Sequence, residues 1–179
     1  MTEEKIENKT AQDSKENPMR KIRIEKIILS IGGIGDVLER GVRLLKLLTG
    51  RTPIKTKSRK RIPSLGVRPG LEIGAMVTIR RNPEELIKKM LIAVDNIIRK
   101  RQVRDNHFSF GIKEYLEIPG VEYQRDIGIL GLDVTIVFVR SGKRIKLKKT
   151  KKGKISKRQI ITKEEIIKFM EDNFQVKFV

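Results

Sequence analysis

The sequence predicts an α+β fold in a single domain, and three observations carry that prediction. Segments with two-residue alternation and segments with three-to-four-residue spacing are interspersed without a regular βαβ repeat, so a doubly wound parallel sheet is not expected. Hydrophobic residues make up 38% of the 179 residues, enough for one core. Residues 1–17 are polar and mildly acidic with almost nothing to bury, so a disordered leader is expected there, followed by one domain over 18–179.

Ile22 to Ile31 is rich in β-branched residues and reads as a strand. Alternation puts Ile27, Leu29 and Ile31 on one face and Lys26, Ile28 and Ser30 on the other. Gly32, Gly33 and Gly35 then break the strand. From Asp36, the residues Val37, Leu38, Val42, Leu45 and Leu48 recur at helical spacing up to Gly50. A short basic strand follows within Arg51–Arg61, where two-residue spacing is expected to display Lys55, Lys57 and Arg59 on one face. The loop to Gly70 holds two prolines and two glycines. Glu72 to Arg80 is the return strand, with Ile73, Ala75, Val77 and Ile79 inward and Met76, Thr78 and Arg80 outward.

Asn82, Pro83 and Glu85 form a helix start, with Asn82 as the expected cap. The helix is expected to carry Leu86, Ile87, Met90, Leu91, Val94, Ile97 and Ile98 on one stripe and to fade by Arg101–Asp105. Phe108 to Glu117 reads as short strands. Leu132 to Val139 reads as a central strand, because both its faces are largely apolar. Thr162 and Glu165 form a capping box that opens a last helix, and Phe174 to Val179 is expected to close as a strand.

Charge narrows the function. Lys and Arg number 41 against 22 Asp and Glu, a formal surplus of +19. A surplus of that size repels itself unless a polyanion absorbs it, and nucleic acid is the usual one, because neutralised phosphates release counterions. An anionic membrane is the rival, but neither an amphipathic basic helix nor a lipidation signal is present. Six Phe, two Tyr and no Trp argue against a stacking platform for single-stranded bases and for recognition of phosphates and folded RNA shape. Two acid-free basic runs, at 51–70 and 140–158, lie on segments that otherwise look folded, whereas solvated faces normally mix both signs.

Catalysis has few candidates. With no cysteine and one histidine, His107, the chain has too few ligands for a zinc site or a nucleophile triad, and a packed or capped role for His107 is favoured. The glycine turn after the first strand fits neither the dinucleotide fingerprint nor the Walker pattern. A tight turn is its favoured role, although its backbone N–H groups, that of Gly33 among them, can still meet an RNA phosphate. In the loop 61–70, the apolar residues Ile62, Leu65 and Val67 are either buried within the domain or carried on a protruding finger stiffened by Pro63 and Pro69. No cofactor and no metal are expected.

Taken in order, six segments resemble the universal ribosomal protein "L five" family. They are Arg20–Ser30, Leu48–Arg59, Gly66–Gly70, Gly74–Arg80, Phe108–Glu114 and Gly131–Asp133, while Asn17–Arg20 and Thr162–Glu165 resemble its archaeal and eukaryotic branch. The resemblance implies a cytoplasmic protein of the large ribosomal subunit, in the central protuberance, that binds 5S and 23S ribosomal RNA among neighbouring ribosomal proteins. It implies helices against one face of a mixed or antiparallel sheet and RNA against the other. By position, Ser30, Arg51 and Thr78 match residues that hydrogen-bond 5S RNA, and Lys26, Gly33, Lys55, Lys57, Arg59 and Arg80 are expected to join them. Arg61, Ile62, Pro63, Ser64, Leu65, Gly66, Val67 and Arg68 match a loop that reaches the elbow of the P-site transfer RNA. Ser30 stands where the family usually has Asn, Arg51 where Gln is common, and the Gly32–Gly35 turn is one residue longer. Rival readings are a general binder of double-stranded RNA or DNA, a nucleotide-dependent enzyme and a basic membrane-surface protein.

Overall fold

The computed structural model describes residues 17–179. The expected leader therefore lies outside the described residues, apart from Asn17, whose side chain accepts a hydrogen bond from the Met19 N–H and caps a 3-10 turn. Six strands form the main sheet: β1 (Ile22–Gly32), β2 (Ile54–Lys57), β3 (Glu72–Ile79), β5 (Val103–Arg104), β6 (His107–Ile112) and β7 (Leu132–Arg140). Their order is β2-β3-β1-β7-β6-β5, and every neighbour pair is antiparallel.

Alternation along β1 works as the sequence predicts. Ile27, Leu29 and Ile31 are buried, and their cross-strand partners Ile79, Val77 and Ala75 on β3 are buried with them. On the other flank, Ile136 and Val134 of β7 continue the same layer, and Phe108 and Phe110 of β6 extend it further. Three helices cover this layer: α1 (Asp36–Thr49), α2 (Pro83–Ile92) and α4 (Lys163–Phe174). They contribute Leu38, Leu44 and Leu45, then Ile87, Met90 and Leu91, then Ile166 and Met170. Each fully buried side chain of this kind contributes about 1.5–3 kcal/mol, so the helix-side layer holds the domain together. Gly41 lets α1 come close, because a Cβ there would sit 2.9 Å from Ile31 Cγ2. Gly50 ends α1 in the left-handed conformation, its N–H bonded to the Lys46 carbonyl.

Three expectations are corrected. The second helix stops at Ile92, because Asp95 and Asn96 take positive φ (53° and 57°) and turn the chain. Ile97 and Ile98 then form β4, which pairs in parallel with β8 (Lys177–Phe178). Asn82 does not cap that helix: it is itself left-handed, at φ 47° and ψ 55°, with no side-chain cap bond. Finally, β7 is central by pairing, but only one of its faces is buried, since Asp133 is exposed and Thr135, Val137 and Val139 are half-buried. The capping box of α4 does form, with the Thr162 N–H donating to Glu165 Oε2 at 3.0 Å.

Candidate nucleic-acid interface

The three long helices pack on one side of the sheet, which leaves most of its other side open. Lys26, Ile28 and Ser30 of β1 lie there half-buried, beside Thr78 and Met76 of β3. Thr135 and Val137 of β7 continue the layer, followed by Ser109 and His107 of β6. Ser109 and Thr135 share a hydrogen bond of 3.0 Å between their hydroxyl oxygens. The open side is thus a shallow surface of short hydroxyls and half-exposed apolar side chains, with cations along it and at its ends. Such a surface suits a broad partner whose sugars and phosphates accept and donate hydrogen bonds.

The expected site residues divide into those that the fold brings together and those that it sets apart. Ser30 faces Asp133 on one neighbour and Met76 on the other, and Thr78 faces Ile28, so Ser30 and Thr78 lie on one surface with Lys26. Arg51 joins them at the rim, its Nη1 reaching the Thr78 carbonyl at 3.5 Å. Arg80 follows β3 directly and is exposed. Lys55 is set apart. Its pairing with Ala75, a core residue, puts it on the helix side, and its Nζ lies 3.1 Å from Glu72 Oε2. A register shift between Thr56 and Lys57 breaks the strict alternation, and β2 ends at Lys57, so Lys55, Lys57 and Arg59 do not form one row. Gly33 gives no free N–H, since that group donates to the Ile73 carbonyl at 3.0 Å.

The 61–70 loop is a finger with internal order. Ile62 and Val67 exchange two backbone hydrogen bonds, and a 3-10 turn at Pro63–Leu65 closes on Gly66 in the left-handed conformation. At its base, Ser58 donates to the Leu71 carbonyl and accepts from the Gly70 N–H. The apolar residues divide: Val67 is buried, while Leu65 is 65% exposed at the tip. Arg59, Lys60, Arg61 and Arg68 are all exposed around it.

Several residues on the open side were not among the expected contact residues: Arg104, His107, Ser109, Asp133 and Thr135. The signal was present in the alternation of Phe108, Phe110 and Ile112, which fixes His107 and Ser109 on the opposite face. His107 also accounts for its own polar atom, with Nδ1 donating to the Asp105 carbonyl at 3.1 Å. Among the described residues no group of three or more acidic or histidine side chains could hold a metal ion.

Comparison with known proteins narrows the readings that this surface leaves open. The family model for ribosomal protein L5 matches residues 17–68, and the model for the C-terminus of the same ribosomal family matches residues 72–169. The chain belongs to the ribosomal protein L5 family. It is 41% identical over 168 residues to large ribosomal subunit protein uL5 of Nanoarchaeum equitans, covering 92% of this chain and 99% of that protein. It is 44% identical over 167 residues to the uL5 of Sulfolobus acidocaldarius, covering 90% and 93%, and 41% identical over 168 residues to that of Sulfurisphaera tokodaii, covering 91% and 95%. L5 proteins are ribosomal proteins and not enzymes, so the nucleotide-dependent enzyme falls away. No helix among the described residues is long and apolar enough to cross a membrane.

Proposed function

We propose that the chain is a structural constituent of the large ribosomal subunit in the cytoplasm, and that it binds 5S ribosomal RNA with the open side of its sheet. The observation that carries this reading is the grouping of Lys26, Ser30, Thr78 and Arg51 on the one sheet face that none of the three long helices covers. Short hydroxyls held in a rigid sheet donate and accept at fixed spacing, which suits folded RNA better than a flexible lysine tail would. Arg51 and Arg80 at the rim supply phosphate contacts, and the finger at 61–70 extends from the same hairpin to meet the elbow of the P-site transfer RNA. Contacts to 23S ribosomal RNA and to neighbouring ribosomal proteins of the central protuberance fall to the remaining basic surface.

The test is binding of the purified chain to 5S ribosomal RNA, with excess transfer RNA as competitor, across a salt series. Binding that survives the competitor supports a shape-specific 5S partner. Binding lost to the competitor favours the second reading, a general binder of double-stranded RNA or DNA, which the net charge of +19 alone would support. Removing residues 61–70 is expected to spare 5S binding and to impair transfer-RNA accommodation; loss of 5S binding would instead make the finger part of the docking surface.

A further inference from the structure

The basic segment after β7 folds back onto the end of the sheet. Lys143 pairs with Glu25, the residue at the β1 bulge, and Arg140 donates to the Arg158 carbonyl at 3.0 Å and to Glu165 at 2.7 Å. A one-turn helix, α3 (Arg144–Leu147), is clasped by the Gly153 N–H, which donates to the Ile145 carbonyl. Gly153 has no room for a side chain, since a Cβ there would lie 2.6 Å from Ile145 Cγ2.

Between this returning segment and the end of β7 lies a cavity of about 750 Å³. Val137, Val139 and Ile155 give it apolar walls. Lys146, Lys152 and Lys154 line it as well, and none of them has an acidic partner among the described residues. Arg140 lines it too, and its Nε is the one buried side-chain polar atom without a hydrogen-bond partner among the described residues. The cavity meets the open side of the sheet, because Val137 and Val139 belong to both.

We propose that this cavity takes one nucleotide of an RNA strand, its phosphate among Lys146, Lys152 and Lys154 and its base or sugar against Val137, Val139 and Ile155. The volume lies within the range of roughly 300–1,000 Å³ typical of small-ligand pockets. Three lysines without acidic partners favour an anionic ligand, and apolar walls of this extent are not needed for a bare phosphate. Continuity with the open side favours a strand over an acidic peptide, and in that respect the proposal rests on the RNA reading above.

The experiment titrates the isotope-labelled whole chain with a single-stranded mixed-sequence RNA heptamer, with AMP and with inorganic phosphate. It follows the backbone amide of Gly153 and the side-chain amides of Gln159 and Asn106. The heptamer is expected to move all three signals and to bind at least about tenfold more tightly than AMP. The surface variant K152Q/K154Q should lower that affinity by about tenfold without lowering the thermal midpoint. Val139→Trp should abolish binding by filling the cavity, and the double lysine variant keeps the test decisive if that variant fails to fold. Silent amides with the heptamer overturn the proposal. Equal shifts from inorganic phosphate overturn the nucleotide, and equal affinity for AMP and heptamer overturns the strand in favour of a free nucleotide. Shifts from a polyglutamate peptide with none from the heptamer assign the cavity to an acidic partner and overturn it too. Failure of the wild-type chain to bind 5S RNA would sink the sheet-face reading, whatever these three amides do.

Discussion

Lys26 and Lys55 carry the same charge and are separated in space by one strand, yet only one is placed to meet a partner on the open side. Lys55 is opposite Ala75 and is held by Glu72, whereas Lys26 lies opposite Val137 without an acidic partner among the described residues. Lys26→Gln is expected to reduce the salt slope of 5S binding by about 1, as one lost phosphate contact does, while Lys55→Gln leaves it nearly unchanged. Equal slopes for the two variants would mean that charge acts here without regard to face. An exposed pair such as Lys55–Glu72 contributes only about 0.2–1 kcal/mol, so neither change should unfold the domain. The sequence could place Lys26, because the apolar neighbours Ile27, Leu29 and Ile31 fix its face. It could not place Lys55, because β2 has no buried residue to set its register and a bulge follows Thr56. Glu165 offers a second test. Its partial burial pushes the carboxyl up, but hydrogen bonds from the Thr162 N–H and the Arg140 guanidinium outweigh that and hold it below its ordinary value of 4.5. A lowered value in the folded state means that the contribution to stability is fully present above pH 4.5 and is lost as pH falls through the lowered value. Glu165→Gln leaves the buried Arg140 charge without its anion and is expected to cost roughly 1–3 kcal/mol at neutral pH, discounted for the exposed carboxylate. Thermal melts at neutral pH and in acid well below the ordinary carboxylate range check this, since the gap between variant and wild type should narrow in acid.

At the scale of elements, periodicity was a good guide wherever one face meets the core. The boundaries of β1 and α1 fall within about a residue of those read from apolar spacing, and Gly50 ends α1 as expected. The second helix overran in the sequence reading because Val94, Ile97 and Ile98 keep helical spacing, while Asp95 and Asn96 supply the left-handed turn that breaks it. Asn and Asp tolerate that conformation better than other side chains, but nothing local says that the turn will be used. The reason for it lies far along the chain, in β8, where Lys177 and Phe178 offer Ile97 and Ile98 a parallel partner. The contact between α1 and β1 is where packing overrides propensity. Gly41→Ala improves helix propensity by roughly 1 kcal/mol, yet it drives a methyl group into Ile31, which is buried and cannot move aside. The expected outcome in urea is a net loss of about 1–2 kcal/mol. A gain would mean that α1 shifts freely on the sheet. Leu44→Ala in the same helix should cost about 2–5 kcal/mol by leaving a cavity.

For the whole molecule, the charge of +19 works against its own compact state. Among the described residues three ion pairs form, at Lys55–Glu72, Arg140–Glu165 and Lys143–Glu25, so most lysines and arginines there have no ion-pair partner. The thermal midpoint of the free chain is therefore expected to rise when salt is raised from about 50 mM to about 500 mM, and to rise again on adding RNA at low salt. A midpoint that falls with salt would mean that attractive pairs outweigh the repulsion. The charge was readable from composition, and its concentration at 51–70 and 140–158 from the sequence; which cations share a sheet face was not, because that depends on which strands become neighbours. The pairing of β1 with β7 is the clearest case, and it bears on the order in which the chain is made. Ile22–Ser30 finds its second partner only in Asp133–Arg140, more than a hundred residues later. As the chain is synthesised, β1, β2 and β3 can associate early, but until β7 emerges the free edge of β1 keeps its backbone donors and acceptors open to any passing strand. The nascent half-sheet is therefore at its most vulnerable to mispairing midway through translation, and a chain stalled before β7 is the form that a cell has most reason to shield or destroy.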